Sequence, residues 1–124
     1  MQDLAIDLDG RERPMSAAAQ ALGAAGINIE GLTGPMGKDG ASVGHILVEN
    51  GDEAKRILEA AGLTVVGERE VVVVQLEDRP GSLWELLQRI GPRSYDLVYL
   101  ATGTRLVLGG KGIDEVARIL AAAA

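Results

Sequence analysis

Apolar residues recur along this chain at two spacings, and the spacings alternate in a fixed order. Residues 3–8 read Asp-Leu-Ala-Ile-Asp-Leu, which puts Leu4, Ile6 and Leu8 on one face of a strand. Residues 14–25 change to helical spacing, with Met15, Ala18, Ala19 and Leu22 on one side. Pro14 suits the first turn of that helix and Gly26 stops it. Residues 27–33 return to a strand, with Ile27, Ile29 and Gly31 sharing a face. Residues 34–40, Gly-Pro-Met-Gly-Lys-Asp-Gly, form a loop by composition. A strand over 42–48, a helix over 52–61 with Ala54, Ile57, Leu58 and Ala61 inward, and a strand over 63–67 complete the series. The same order then starts again. Strand 70–76, helix 81–90, strands 95–102 and 104–109 and helix 112–121 follow, with no counterpart of the 63–67 strand.

The recurrence is also visible residue by residue. Shifted by 68 positions, Leu4, Ile6 and Leu8 fall on Val72, Val74 and Leu76, Arg11 on Arg79, and Met15 on Leu83. Ile27-Asn28-Ile29 falls on Tyr95-Asp96-Leu97. After a six-residue skip, the helix at 52–58 falls on 114–120. Such self-similarity predicts two copies of one unit, residues 1–68 and 69–124. Strand-helix-strand-strand-helix-strand, with right-handed crossovers, predicts an α+β fold. Each unit is a ferredoxin-like βαββαβ element, an antiparallel sheet with its helices on one face. The second unit lacks its last strand and so leaves a sheet edge to be covered.

Composition narrows the chemistry. With 124 residues, 47% of them hydrophobic, the chain can build a core, and it has no cysteine for a disulfide or thiolate metal site. A net charge of −6 with no basic stripe argues against nucleic acid. No apolar run approaches the roughly 20 residues that cross a bilayer, and Met1-Gln2-Asp3-Leu4 has no basic lead into an apolar stretch. A cytoplasmic protein is expected. Phe is absent and aromatics are 2%, so few residues suit stacking on a flat cofactor, and none is expected. His45 is the single histidine, too few for a histidine-based metal centre. Gly109-Gly110-Lys111-Gly112 lacks the Ser or Thr of a phosphate-binding loop.

The most specific stretch is Val71 to Leu87. A run of four valines passes through Asp78-Arg79-Pro80-Gly81-Ser82-Leu83 into an apolar helix. Together with the repeat and the Ile-Asn-Ile strand after an Ala-Gly helix end, this resembles tandem ACT domains. Those are small, usually regulatory modules that bind amino acids. The resemblance spans essentially the whole chain. It implies a ligand at the seam between units, held by the loop after the first strand of one unit and the second strand of its neighbour. Carried onto this sequence, the loops are 10–14, with Arg11 and Arg13, and 78–82; Leu83 adjoins the second. The facing strands begin at Asn28 and Ile29, and at Asp96. The second loop has the better chemistry. A helix N-terminus offers free N–H groups to a carboxylate, and Gly81 has no Cβ to block its approach. Asp78 suits a ligand ammonium or the helix N-cap. The first loop departs from the pattern, with Glu12 for Pro80 and Arg13 for Gly81, so two equal sites are not expected.

Plainer roles exist for the same residues. Arg11 and Arg79 suit pairing with carboxylates, Asn28 suits the end of a strand, and Trp84 suits a seam between units or chains. No nucleophile stands with a base, so the chain reads as non-enzymatic. A metal enzyme built from paired units, of the vicinal-oxygen-chelate type, would need more His and Glu ligands than these strands supply. The remaining alternative is an interaction module that binds no ligand. Either way a homodimer and a regulated partner protein are expected.

Overall fold

A computed structural model of the chain describes residues 1–9, 12–34, 42–91 and 95–122. They fall into two compact units, Met1–Glu70 and Val71–Ala124. The first contains β1 (Gln2–Asp7), α1 (Pro14–Ala24), β2 (Gly31–Thr33), β3 (Val43–Val48), α2 (Gly51–Ala60) and β4 (Val65–Glu70). Its sheet runs β2-β3-β1-β4 with every neighbour antiparallel. That is the ferredoxin-like order, in which each helix crosses over one intervening strand. Leu4 and Ile6 of β1 and Ile46 and Val48 of β3 meet Ala18, Leu22, Ala54 and Leu58 of the helices in one buried cluster. Leu63 and Val65 close that cluster at its β4 side.

The second unit repeats the plan with one strand fewer. It contains β5 (Val72–Gln75), α3 (Ser82–Ile90), β6 (Leu97–Ala101), β7 (Arg105–Gly109) and α4 (Ile113–Ala122). The sheet order is β5-β7-β6, again antiparallel. Leu76, Leu86, Ile90, Leu106, Leu108 and Val116 form its core. Among the described residues no strand pairs with the outer edge of β5.

Two local expectations change. The stretch 27–29 lies outside the ladder; the Glu30 N–H is the first to bond β3, at the Leu47 carbonyl 2.9 Å away, and the second strand begins at Gly31. Residues 27–29 are used in leaving the helix. The Ile27 N–H reaches back to the Leu22 carbonyl at 2.9 Å, and Gly26 sits at φ 76. Ile27 and Ile29 still pack against the core. On α1, Ala19 is exposed and Ala17 takes its place against the core.

His45 lies on the sheet face away from the helices, where its Nδ1 and Oδ2 of Asp3 stand 2.7 Å apart. Asp3 is only 1% exposed. A buried carboxylate requires such a partner, which gives the single histidine a structural task.

Candidate functional site

The chain leaves β5 with the Leu76 N–H donating to the Thr104 carbonyl at 3.0 Å. It then folds into a tight turn, in which the Arg79 N–H bonds the Glu77 carbonyl and the Ser82 N–H bonds the Arg79 carbonyl. Gly81 is the N-cap of α3, at φ 88, in the left-handed region. This corrects the expectation for Asp78, which is exposed and does not cap the helix; no side chain does. Left-handed backbone is the natural province of glycine, so the turn by itself accounts for Gly81. The space where a Cβ would point is also open, with no atom within 4 Å. The first helical bond runs from the Glu85 N–H to the Gly81 carbonyl at 3.0 Å, and the N–H groups of Leu83 and Trp84 precede it.

Arg79 is folded back across this helix start. Its Nε donates to Glu77 Oε2 at 2.6 Å, and its two terminal nitrogens donate to both oxygens of Glu85. Hydrogen bonds to Glu85 and then Glu77 push the guanidinium pKa up. In return, the bonds from Arg79 hold the Glu85 carboxyl below its ordinary value of 4.5. Glu85 lies in the first turn, where the helix dipole favours its charge.

Beside this cluster lies a cavity of about 340 Å³. Val74, Leu76, Leu86 and Leu120 form its apolar wall. Arg79, Ser82, Glu85 and Arg89 form much of its polar one. Arg79 and Ser82 are thus the members of the 78–83 loop that share a cavity. Pro80, Gly81 and Leu83 lie at the exposed surface with Asp78. Glu85 and Arg89 were not anticipated. Their signal in the sequence is the spacing Ser82, Glu85, Arg89, which places three polar groups on one side of a helix.

The first loop has the same skeleton with a different residue. Arg11 lies outside the described residues. Arg13 is the N-cap of α1 at φ 51 and ψ 54, and the Ala17 N–H bonds its carbonyl at 3.1 Å. Gly81 and Glu85 are related in the same way in the second unit. An arginine therefore adopts the left-handed turn that a glycine adopts 68 residues later. Arg13 opens onto a shallow surface depression with Glu12, Ser16 and Gln20.

Of the facing residues, Asn28 is exposed and its amide donates to the Glu30 carboxylate. Ile29 packs into the core of the first unit. Asp96 is exposed just before β6, with its N–H on the Gly109 carbonyl at 2.9 Å. Among the described residues no group of three or more His, Cys, Asp or Glu is placed to hold a metal ion. Among them, too, no helix is long and apolar enough to cross a membrane.

No protein-family model matches the chain, and no curated protein matches it significantly. Solved structures do match. The protein BT0572 from Bacteroides thetaiotaomicron superposes with a TM-score of 0.81 at 19% identity, covering 98% of this chain and 86% of that one. The regulatory subunit of aspartate kinase from Thermus thermophilus superposes with a TM-score of 0.68 at 14% identity, covering 98% of this chain and 89% of that one. The fold is that of a tandem ACT pair. At these identities the likeness is one of fold, and ligand chemistry has to be argued from this chain's own residues. In ACT terms, Arg13 and Gly81 occupy the same corner of successive units, and only the second corner is free of a side chain.

Proposed function

We propose that this chain is a non-enzymatic regulatory module whose ligand is a small molecule, an amino acid. Its site is the 78–83 loop at the start of α3. The observation that carries this reading is the open corner at Gly81, with the N–H groups of Leu83 and Trp84 at the start of α3. A carboxylate suits such a helix start. Exposed Asp78 supplies a counter-charge for an ammonium group. The fold it shares with a regulatory subunit of aspartate kinase supports the same reading. A chain free of cysteine suits the reducing cytoplasm.

The test is a thermal-shift screen against the twenty amino acids, repeated on Gly81→Ala and Gly81→Trp. Both variants carry the same strain at φ 88, but only tryptophan has the bulk to obstruct the corner. A ligand at about 100 times its Kd adds roughly 2.7 kcal/mol of stability. The reading expects one amino acid to give a shift that Gly81→Ala keeps and Gly81→Trp loses. Flat curves with the unmodified protein would sink it.

A second reading, a ligand-free interaction module acting through a homodimer, is favoured by one observation. Trp84 is 66% exposed, and Val98 and Leu100 on the edge strand β6 are 45% and 52% exposed. Edge strands are normally blunted by charge, and Leu97–Ala101 has none. Sedimentation of the unmodified protein against Leu100→Lys checks this. A dimer that the lysine converts to monomer, together with a silent ligand screen, would support this second reading over the first.

A further inference from the structure

Leu4 and Ile6 of β1 face the helices, so Asp3 and Ala5 face the other side of the first sheet. On that side the register sets Ala5 between His45 of β3 and Gly67 of β4, and sets Asp3 opposite Arg69 of β4. A cavity of about 300 Å³ lies over these five residues. Glu68 also borders it, but its side chain turns to the helix face, beside Gly51 at the start of α2.

Nothing in the fold calls for polar groups here, and the second unit is the control. Laid on β5 and β7, the pair Ala5 and His45 falls on Val73 and Val107, and Asp3 falls on Val71. Three valines therefore do the same structural work. Asp3 is 1% exposed, and burying a carboxylate costs stability unless it is paired. Even a well-paired buried couple is often no better than apolar residues of its size. His45 answers Asp3, but the sheet does not require Asp3. Gly67 is unforced in the same way. Its φ is not left-handed, and an added Cβ would meet only the Ala5 Cβ, at an ordinary 3.5 Å. A glycine inside a strand weakens it; here it keeps the floor of the cavity low.

The polar groups are graded in depth. The Asp3 carboxylate is the deepest, with its Oδ2 2.7 Å from His45 Nδ1. The His45 ring is partly exposed and Arg69 is exposed. The other charged side chain that the described strands place on this face is Asp7 of β1; β2 sets Thr33 opposite His45 and adds no charge. An imidazolium whose Nδ1–H is held by Asp3 can donate from Nε2. The planar guanidinium of Arg69 can donate to both oxygens of a carboxylate.

We propose that this cavity binds a small aliphatic carboxylate. Its oxygens are held by Arg69 and the His45 imidazolium, and its apolar body lies on Ala5 and Gly67. Asp3 is a positioning residue that holds the ring from beneath. None of these residues belongs to the 78–83 loop, so the site is separate from the one proposed for an amino acid.

His45 is the chain's only histidine, so its imidazole NMR signals need no assignment. Butyrate is titrated into the full-length protein, with butanol and inorganic phosphate as controls. The proposal expects a saturable shift of the His45 signals with a Kd of about 1 mM or tighter, and at least about tenfold weaker binding of either control. Binding should be stronger near about pH 6 than near about pH 8, where the imidazolium is lost. Arg69→Gln removes the guanidinium, and Gly67→Val fills the floor with a residue that suits a strand. Each should weaken binding at least about tenfold, and Gly81→Trp should leave it unchanged. Asp3→Val combined with His45→Val copies the second unit and should unfold at no lower a temperature than the unmodified protein. A flat titration, equal binding of phosphate, or indifference to pH, to Arg69→Gln or to Gly67→Val overturns the proposal. So does loss of binding in Gly81→Trp, or a clear fall in the unfolding temperature of the double variant, which would make the pair a requirement of the fold.

Discussion

Arg13 holds a backbone conformation that costs a residue with a Cβ about 1 kcal/mol or more, and glycine almost nothing. Its counterpart in the second unit is glycine. Replacing Arg13 by glycine should therefore stabilise the protein by about 1 kcal/mol, and Gly81→Ala should destabilise it by a similar amount. Urea unfolding of the two variants measures both. The comparison also bears on what could be read beforehand. The pairing of Arg13 with Gly81 is plain in the 68-residue register, but the shared left-handed turn is not, because arginine rarely adopts it. Asp78 misled for a related reason. A short acidic residue near a helix start is the common N-cap, and here the turn runs three residues further before the helix begins.

At the level of elements, the alternation of apolar residues located every strand and helix, with ends displaced by a few residues. The exception is β2, where the chain's exit from α1 takes up the strand-like residues 27–29. Propensity sees Ile-Asn-Ile and cannot see that Ile27 is tied back to Leu22. The helices differ in how their starts are secured. Asn50 caps α2 by accepting the Glu53 N–H at 3.1 Å, whereas α1 and α3 have no side-chain cap. Asn50→Ala should cost about 1 kcal/mol, measured by thermal unfolding. The missing strand predicts a second asymmetry. Leu58→Ala empties a closed core position and should cost about 2–5 kcal/mol. Leu120→Ala, at the equivalent position in an open one, should cost clearly less.

For the whole molecule, two carboxylates set opposing pH dependences. Glu68 of β4 has a solvent-shielded Oε2 with no hydrogen-bond partner. The Asp52 carboxyl in the first turn of α2, with which protonated Glu68 can share a hydrogen bond, pushes its pKa above 4.5, aided by desolvation and the Asp52 charge and opposed by Lys55. A group whose pKa is raised by folding contributes stability at pH below its unfolded value, and loses it as pH rises through the folded one. Glu85 behaves in the opposite way. Its contribution is present above 4.5 and disappears as pH falls through its depressed value. The Tm should therefore rise on mild acidification from pH 7 and fall again well below pH 4.5. Glu68→Gln should remove the rise and leave the fall; an unchanged profile in that variant would refute the assignment. The Asp52–Glu68 pair was not legible in the sequence, since the two meet only once α2 packs over β4, whereas Arg79 was expected to pair with carboxylates and the structure supplies Glu77 and Glu85. The cavity beside β5 was not legible either, although the absence of its strand was.

The exposure of Trp84 has an optical consequence. It is the chain's only tryptophan, and with two tyrosines and no phenylalanine it dominates the protein's ultraviolet emission. It stands two positions after the first residue of α3, beside the corner at Gly81 and on a helix that borders the β5 cavity. Its indole is mostly in water, so its fluorescence starts red-shifted. Any partner or ligand that covers this end of α3 shifts the emission to the blue. The molecule thus carries a reporter at the start of α3, and no added dye is required to watch that end of the helix being covered.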